Sequence, residues 1–212
     1  MTAHSAAGHP HQTVFIVDDD PAICEGLCNL LESVGLNAQR FGSAEEFIEQ
    51  WHNQPGCLML DARLPGMTGV EFQEKLSQSG IRIPVIFMTA HGDVPMVRKV
   101  MKAGAVEFLT KPFEKEEMLA AIRHAFQIDS VYRSGQRQLD ALQSRLNMLT
   151  PREREVMALV TAGLLNKQIA AELNLSEIMV KLHRRNVLRK MQAESLADLV
   201  KMTERIRAAG ID

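Results

Sequence analysis

Five short apolar runs, each followed by an amphipathic stretch of helical period, occupy the first 126 residues and leave little freedom of architecture. The runs are Thr13–Val17, Leu36–Phe41, Cys57–Leu60, Ile83–Met88 and Val106–Leu109. Their length and continuity read as parallel strands buried on both faces. The helical stretches lie at about 21–34, 43–52, 68–79, 94–103 and 114–126. Asp20 with Pro21 reads as an N-cap followed by proline at the first helical position, and Gly35 as a C-terminal stop. Five strand–helix repeats in this order predict a doubly wound α/β sheet.

The pattern then changes. Through 127–148 and into the next residue, Ile128, Tyr132, Leu139, Leu142, Leu146 and Leu149 fall on heptad a and d positions interrupted by Gly135. This reads as a helical connector that docks or pairs weakly, with a floppy linker as the alternative. From 149 onward the periodicity is purely helical. Thr150-Pro151-Arg152-Glu153 is a capping box, and its helix should stop near Gly163. Asn166 is placed as the cap of a second helix through Leu173, Ser176 of a third through about Met191, and Ser195 with Asp198 of a fourth. The expected organisation is a disordered tail over 1–12, an α/β domain over 13–126, a helical linker over 127–148 and a small all-α four-helix domain over 149–212.

Composition narrows the function classes. Hydrophobic residues at 46% and charged residues at 24% exclude disordered, collagen-like and disulfide-scaffold chains. No apolar run approaches the ~18–20 residues of a membrane span, and the polar first dozen residues lack the features of a secretory signal. Cys24, Cys28 and Cys57 cannot all pair, so they read as reduced thiols of a cytoplasmic protein. The net charge of −2 conceals a split: residues 1–126 carry 10 Lys and Arg against 16 Asp and Glu, whereas 149–212 carry 11 against 8. An acidic first part and a basic second part suggest two kinds of partner, with nucleic acid a candidate for the second.

Chemistry is concentrated where the strands end. The first runs into Asp18-Asp19, the third into Asp61, the fourth into Thr89-Ala90 and the fifth into Thr110-Lys111-Pro112. Ligands of an open parallel sheet sit outside the carboxyl ends of its strands, so three carboxylates, a hydroxyl and an ammonium should converge. Clustered carboxylates repel unless a cation sits among them, and hard oxygen donors in a wet cleft suit Mg²⁺. Asp61 stands alone at its strand end and is the candidate nucleophile for a phosphoryl group. The cation and Lys111 would neutralise charge during transfer, and Thr89 would hydrogen-bond the added oxygens. Asp20 is assigned to helix capping.

Val17-Asp18-Asp19-Asp20-Pro21, Leu60-Asp61-Ala62-Arg63-Leu64-Pro65-Gly66-Met67-Thr68-Gly69, Thr89-Ala90-His91-Gly92-Asp93 and Lys111-Pro112-Phe113 together resemble the response-regulator receiver domain, over about residues 13–126. The resemblance implies a flavodoxin-like (βα)₅ fold and phosphotransfer to Asp61 from the histidine of a sensor kinase. It further implies Mg²⁺ (or Mn²⁺) held by Asp19, Asp61 and the backbone carbonyl of Arg63, with Asp18 helping through water, and a cis Lys111–Pro112 peptide. Phe108 matches the aromatic switch position that responds to Thr89, and also reads as a buried strand aromatic. His91-Gly92-Asp93-Val94-Pro95-Met96 with Met101-Lys102-Ala103-Gly104-Ala105 resembles the FixJ-type branch, which implies dimerisation on phosphorylation through the fourth helix and fifth strand.

Ser176–Met191 holds five basic residues and one acid. Val180, Val187, Leu188 and Met191 form a stripe that can pack inward, while Lys181, Arg185 and Arg189 fall four apart on one face. A basic helix after a short turn is the layout of a helix-turn-helix reader, and also of an ordinary solvated face. With Leu149-Thr150-Pro151-Arg152-Glu153-Arg154-Glu155-Val156 and Gly163-Leu164-Leu165-Asn166-Lys167-Gln168-Ile169-Ala170, this segment resembles the LuxR/NarL-type DNA-binding domain over about 149–204. The resemblance implies that Lys181, Leu182 and Arg185 face bases, that Lys167, Arg184 and Arg189 meet phosphates, and that the helix from Ser195 pairs two copies. Met179 stands where that family usually has threonine, so a backbone-contacting hydroxyl is absent.

Taken together, the resemblances imply a DNA-binding two-component response regulator of the NarL/FixJ family that is phosphorylated on Asp61. It would dimerise, bind promoter DNA and activate transcription with RNA polymerase, its own catalysis limited to slow self-dephosphorylation. Two other readings stay open. A Mg²⁺-dependent phosphatase would need an acid/base carboxylate two residues after the nucleophile, where Arg63 stands. A phosphorylation-independent DNA binder would make the acidic set vestigial.

Overall fold

The computed structural model describes residues 12–90 and 94–211, with backbone alone for 94–96. His91-Gly92-Asp93 and all of the expected tail except Gln12 lie outside the described residues. Gln12 itself is buried and donates from Nε2 to the Phe126 carbonyl at 3.0 Å, so this residue of the expected disordered tail packs on the domain.

The chain divides into two compact units, the first ending at Tyr132 and the second beginning at Arg133. The first unit contains β1 (Thr13–Val17), α1 (Pro21–Ser33), β2 (Asn37–Phe41), α2 (Ala44–Gln50), β3 (Gly56–Asp61), a small hairpin of β4 (Arg63–Leu64) and β5 (Met67–Thr68), α3 (Gly69–Gln78), β6 (Val85–Thr89), α4 (Val94–Lys102) and β7 (Glu107–Thr110). One continuous helix, α5, then runs over Lys115–Asn147, and the boundary between the units falls within it.

The five main strands pair in parallel in the order β2-β1-β3-β6-β7. Period-two alternation decides which side chain enters which layer. Phe15, Val17, Leu58, Leu60, Val85 and Phe87 point into one core with Phe47, Phe72 and Val100 of α2, α3 and α4. Val14, Ile16, Cys57, Met59, Ile86 and Met88 point into the other with Leu27 and Leu31 of α1 and Met118 and Ile122 of α5. Helices on both faces make the sheet doubly wound. The second strand departs from the expected buried character: β2 is an edge strand paired only with β1, in which Phe41 is buried, Ala38 is half-buried and Asn37, Gln39 and Arg40 are exposed.

Caps fix the helix starts. The Asp20 carboxylate accepts from the Ala22 and Ile23 amides ahead of α1, and Gly35 at φ +78° closes it, a conformation glycine adopts without steric cost. Thr68 and Glu71 form a reciprocal capping box at α3.

The second unit holds the end of α5 and four further helices: α6 (Pro151–Thr161), α7 (Asn166–Leu173), α8 (Glu177–Met191) and α9 (Leu196–Ala208). Leu142 and Leu146 of α5 and Leu149 are buried in its core with Val156, Ile169, Val180, Val187 and Leu199. Thr150 with Glu153 caps α6, Ser176 accepts from the Met179 amide ahead of α8, and Ser195 accepts from the Asp198 amide ahead of α9. Asn166 is not the cap of α7. That position belongs to Leu165, whose amide donates to Gln168 Oε1 at 2.7 Å, and Asn166 is the first helical residue. Its side chain is drawn elsewhere, to Arg184.

Candidate functional site

The carboxyl ends of β1 and β3 lie side by side where the strand order reverses, and the loop after β7 closes the same corner. Asp18, one residue past β1, is buried; Asp61, the last residue of β3, is half-buried; Asp19 is exposed. Carboxylate oxygens of the three lie within 4.8 Å of one another. Lys111 Nζ donates to Asp18 Oδ2 at 2.6 Å and to Asp61 Oδ2 at 2.7 Å. The Arg63 amide donates to Asp61 Oδ1 at 2.8 Å, and the Asp20 amide to Asp18 Oδ1 at 3.0 Å. The Lys111 amide donates to the Thr89 carbonyl at 2.7 Å, and the Lys111–Pro112 peptide is cis.

The electrostatics follow from burial. Loss of water pushes the Asp18 carboxyl above its ordinary value and the nearby Asp61 charge adds to this, while Lys111 and the Asp20 amide oppose it without cancelling it. Burial alone would lower Lys111, but its bonds to Asp18 and Asp61 outweigh that and hold the ammonium protonated. Three carboxylates facing one ammonium leave negative charge to be balanced. An all-oxygen donor set of this spacing fits a hard divalent cation.

Thr89 ends β6 buried, beside this corner. Phe108 sits on β7 in register with Phe87, half-buried against the core shared with α2, α3 and α4. Gly69 keeps the start of α3 close to the end of β3: an added Cβ would lie 2.6 Å from the Phe87 ring and 3.0 Å from the Asp61 carbonyl oxygen.

In the second unit, α7 and α8 are joined through Asn174 in the left-handed conformation at φ 52°. Arg184 Nη1 donates to Asn166 Oδ1 at 2.6 Å, and Arg152 Nη2 to the Leu173 carbonyl at 2.6 Å, bracing both ends of α7. Lys190 pairs with Glu153 at 2.6 Å. Lys167, Lys181, Arg185 and Arg189 are exposed and form no ion pair among the described residues. Leu182 is exposed on the same face of α8, and so is Ile178, which sequence reasoning passed over. The signal was present: Ile178, Lys181, Leu182 and Arg185 have i, i+3, i+4, i+7 spacing.

Comparison with known proteins agrees with this geometry. Residues 14–123 match the family described as response regulator receiver domain, and residues 147–203 that of bacterial regulatory proteins, luxR family. The chain is 48% identical over 192 residues to nodulation protein W of Bradyrhizobium diazoefficiens, covering 90% of this chain and 85% of that one. It is 45% identical over 195 residues to response regulator protein TodT of Pseudomonas putida, covering 92% and 86%. Among solved structures, the response regulator StyR matches with a TM-score of 0.84 and 46% identity over 92% of this chain and 99% of that one. Full-length FixJ from B. japonicum matches with a TM-score of 0.55 and 35% identity over 93% and 98%. With a receiver domain ahead of a LuxR-type helix-turn-helix, the chain belongs to the two-component response regulators of the NarL/FixJ family, a family of transcriptional regulators.

Proposed function

We propose that phosphorylation of Asp61 by a sensor histidine kinase controls dimerisation of this regulator and its binding to promoter DNA. The observation that carries the reading is the lysine bridge: one ammonium bonded to both Asp18 and Asp61, in a corner where three carboxylates crowd together. Such a corner is poised to hold a cation on its carboxylates and to receive a group that offers new oxygens to the lysine.

In the transfer, an Asp61 carboxylate oxygen forms the new bond to phosphorus while the bond from phosphorus to the kinase imidazole breaks, the imidazole regaining a proton. Mg²⁺ or Mn²⁺, held by Asp19, Asp61 and the Arg63 carbonyl with Asp18 through water, would neutralise phosphoryl charge. Lys111 passes one of its hydrogen bonds to a phosphoryl oxygen, and the Thr89 hydroxyl donates to another. The added charge of about −1.5 to −2 biases the switch, with Phe108 following Thr89. Nothing in this scheme makes the chain an enzyme beyond slow loss of its own phosphoryl group.

We assign the receiver to 13–126, the helical connector to 127–148 and the DNA-binding domain to 149–212. Lys181, Leu182 and Arg185 read bases, while Lys167, Arg184 and Arg189 meet phosphates. Arg184 keeps its bond to Asn166 while doing so, which holds α8 against α7. Two copies pair through α9 on a two-part site, where RNA polymerase is recruited and transcription activated, in the cytoplasm. The decisive experiment is labelling with radioactive acetyl phosphate in Mg²⁺. The natural chain should be labelled and Asp61→Asn should not; equal labelling of the two would remove Asp61 from the role.

A further inference from the structure

The outward face of α8 is apolar as well as cationic. Ile178 is 78% exposed and Leu182 48%, and they share one strip with Lys181 and Arg185 at i, i+3, i+4, i+7. The fold does not need either side chain, because α8 packs inward through Val180, Val187 and Met191 on its other side. A single exposed aliphatic residue is ordinary. An isoleucine and a leucine set one turn apart and alternating with two cations, which form no ion pair among the described residues, make a surface with a chemistry of its own.

That chemistry narrows the occupant. The helix carries five basic residues against one acid, so its partner is an anion. The major groove of duplex DNA offers guanine O6 and N7 to cations and has one apolar group, the C5-methyl of thymine. We infer that Ile178, with Leu182 beside it, packs against thymine methyl groups, so that each half of the selected site carries thymine next to a guanine held by Lys181 or Arg185. This rests on the DNA-binding reading above and adds Ile178 as a residue that sets sequence preference.

The test begins with the full-length chain, loaded with beryllium fluoride and Mg²⁺, selecting binders from duplexes with a randomised core. The enriched duplex is remade with uracil in place of one thymine at a time, which deletes only the methyl. At one thymine per half-site, uracil should weaken binding by the natural chain about four-fold, the worth of one buried methyl. Ile178→Ala should bind the thymine and uracil duplexes alike at that position, with unchanged salt dependence because its phosphate contacts are intact. Indifference of the natural chain to uracil everywhere, or an unchanged uracil penalty in Ile178→Ala, would overturn the inference while leaving DNA binding standing. Failure to enrich any duplex would remove the DNA-binding reading and this one with it. If Ile178→Ala instead weakened self-association in sedimentation and kept the uracil penalty, the strip would be a contact between copies and the inference would fall.

Discussion

Glu153 illustrates how one carboxylate can hold several parts of a small domain. It closes the capping box with Thr150 and pairs with Lys190 while almost wholly buried. Burial would raise its pKa, but the bonds from Lys190 and Thr150 prevail and hold it below the ordinary 4.5. A carboxyl whose folded value is depressed contributes stability above its unfolded value and loses it as pH falls through the folded one. Glu153→Gln keeps the cap and loses the ion pair, so it should be less stable than the natural chain by roughly 1 kcal/mol at neutral pH. The gap should close as the pH drops below the unfolded value, as thermal melts across the acid range would show. The convergence of polar groups at one corner was legible at this scale because Asp18, Asp61 and Thr89 each follow directly on an apolar run and Lys111 comes one residue after another. The lysine bridge was not, since spacing along the chain does not say which two carboxylates one ammonium will reach. Gly69 was equally silent: its need for a bare Cα arises from Phe87 and the Asp61 carbonyl, neither near it in sequence.

Along the elements, the sequence reading was strongest where one period persists and weakest at joints. The five main strands and the capping of α1, α6, α8 and α9 were readable from apolar runs and Ser, Thr or Asp placed before helices. The β4–β5 hairpin was not, because two-residue strands carry no period. Residues 127–148 left helix and floppy linker both open, and the chain resolves this as one helix through Gly135 to Asn147. A mid-helix glycine costs about 1 kcal/mol, which burial of Leu142 and Leu146 offsets. Asp129 anchors the earlier part of that helix: its buried Oδ2 accepts from the Gly56 amide at 3.0 Å, at a glycine whose Cβ would collide with the Thr13 carbonyl. Asp129→Ala leaves that amide without its acceptor and should lower the first unit's stability by about 2 kcal/mol. The change would be read as a lower denaturant midpoint at unchanged slope. For α8, Lys181→Ala or Arg185→Ala should each weaken binding to a selected duplex by about 1–3 kcal/mol and relax preference at one base pair. An unaltered preference in a repeat selection would count against that assignment.

At the scale of the whole molecule, we propose that the acidic pocket of one unit controls the cationic helix of the other. Beryllium fluoride with Mg²⁺ should raise both the dimer fraction in sedimentation and the affinity for a selected duplex. That affinity should fall steeply as salt rises, since each neutralised phosphate releases counterions. A rise in affinity with no change in assembly would separate the two effects and refute the dimer step. The cysteines offer a way to watch such a change. Cys24 and Cys57 are buried and Cys28 half-buried, all free, and loss of water pushes Cys24 up to about 11 and raises the other two as well. Thiolate is the reactive species, so at neutral pH these sulfurs are poor nucleophiles behind packed side chains. A new cysteine engineered on an exposed turn would therefore capture a maleimide dye ahead of them, and the regulator could be fluorescently tagged at a chosen point with its native sulfurs in place.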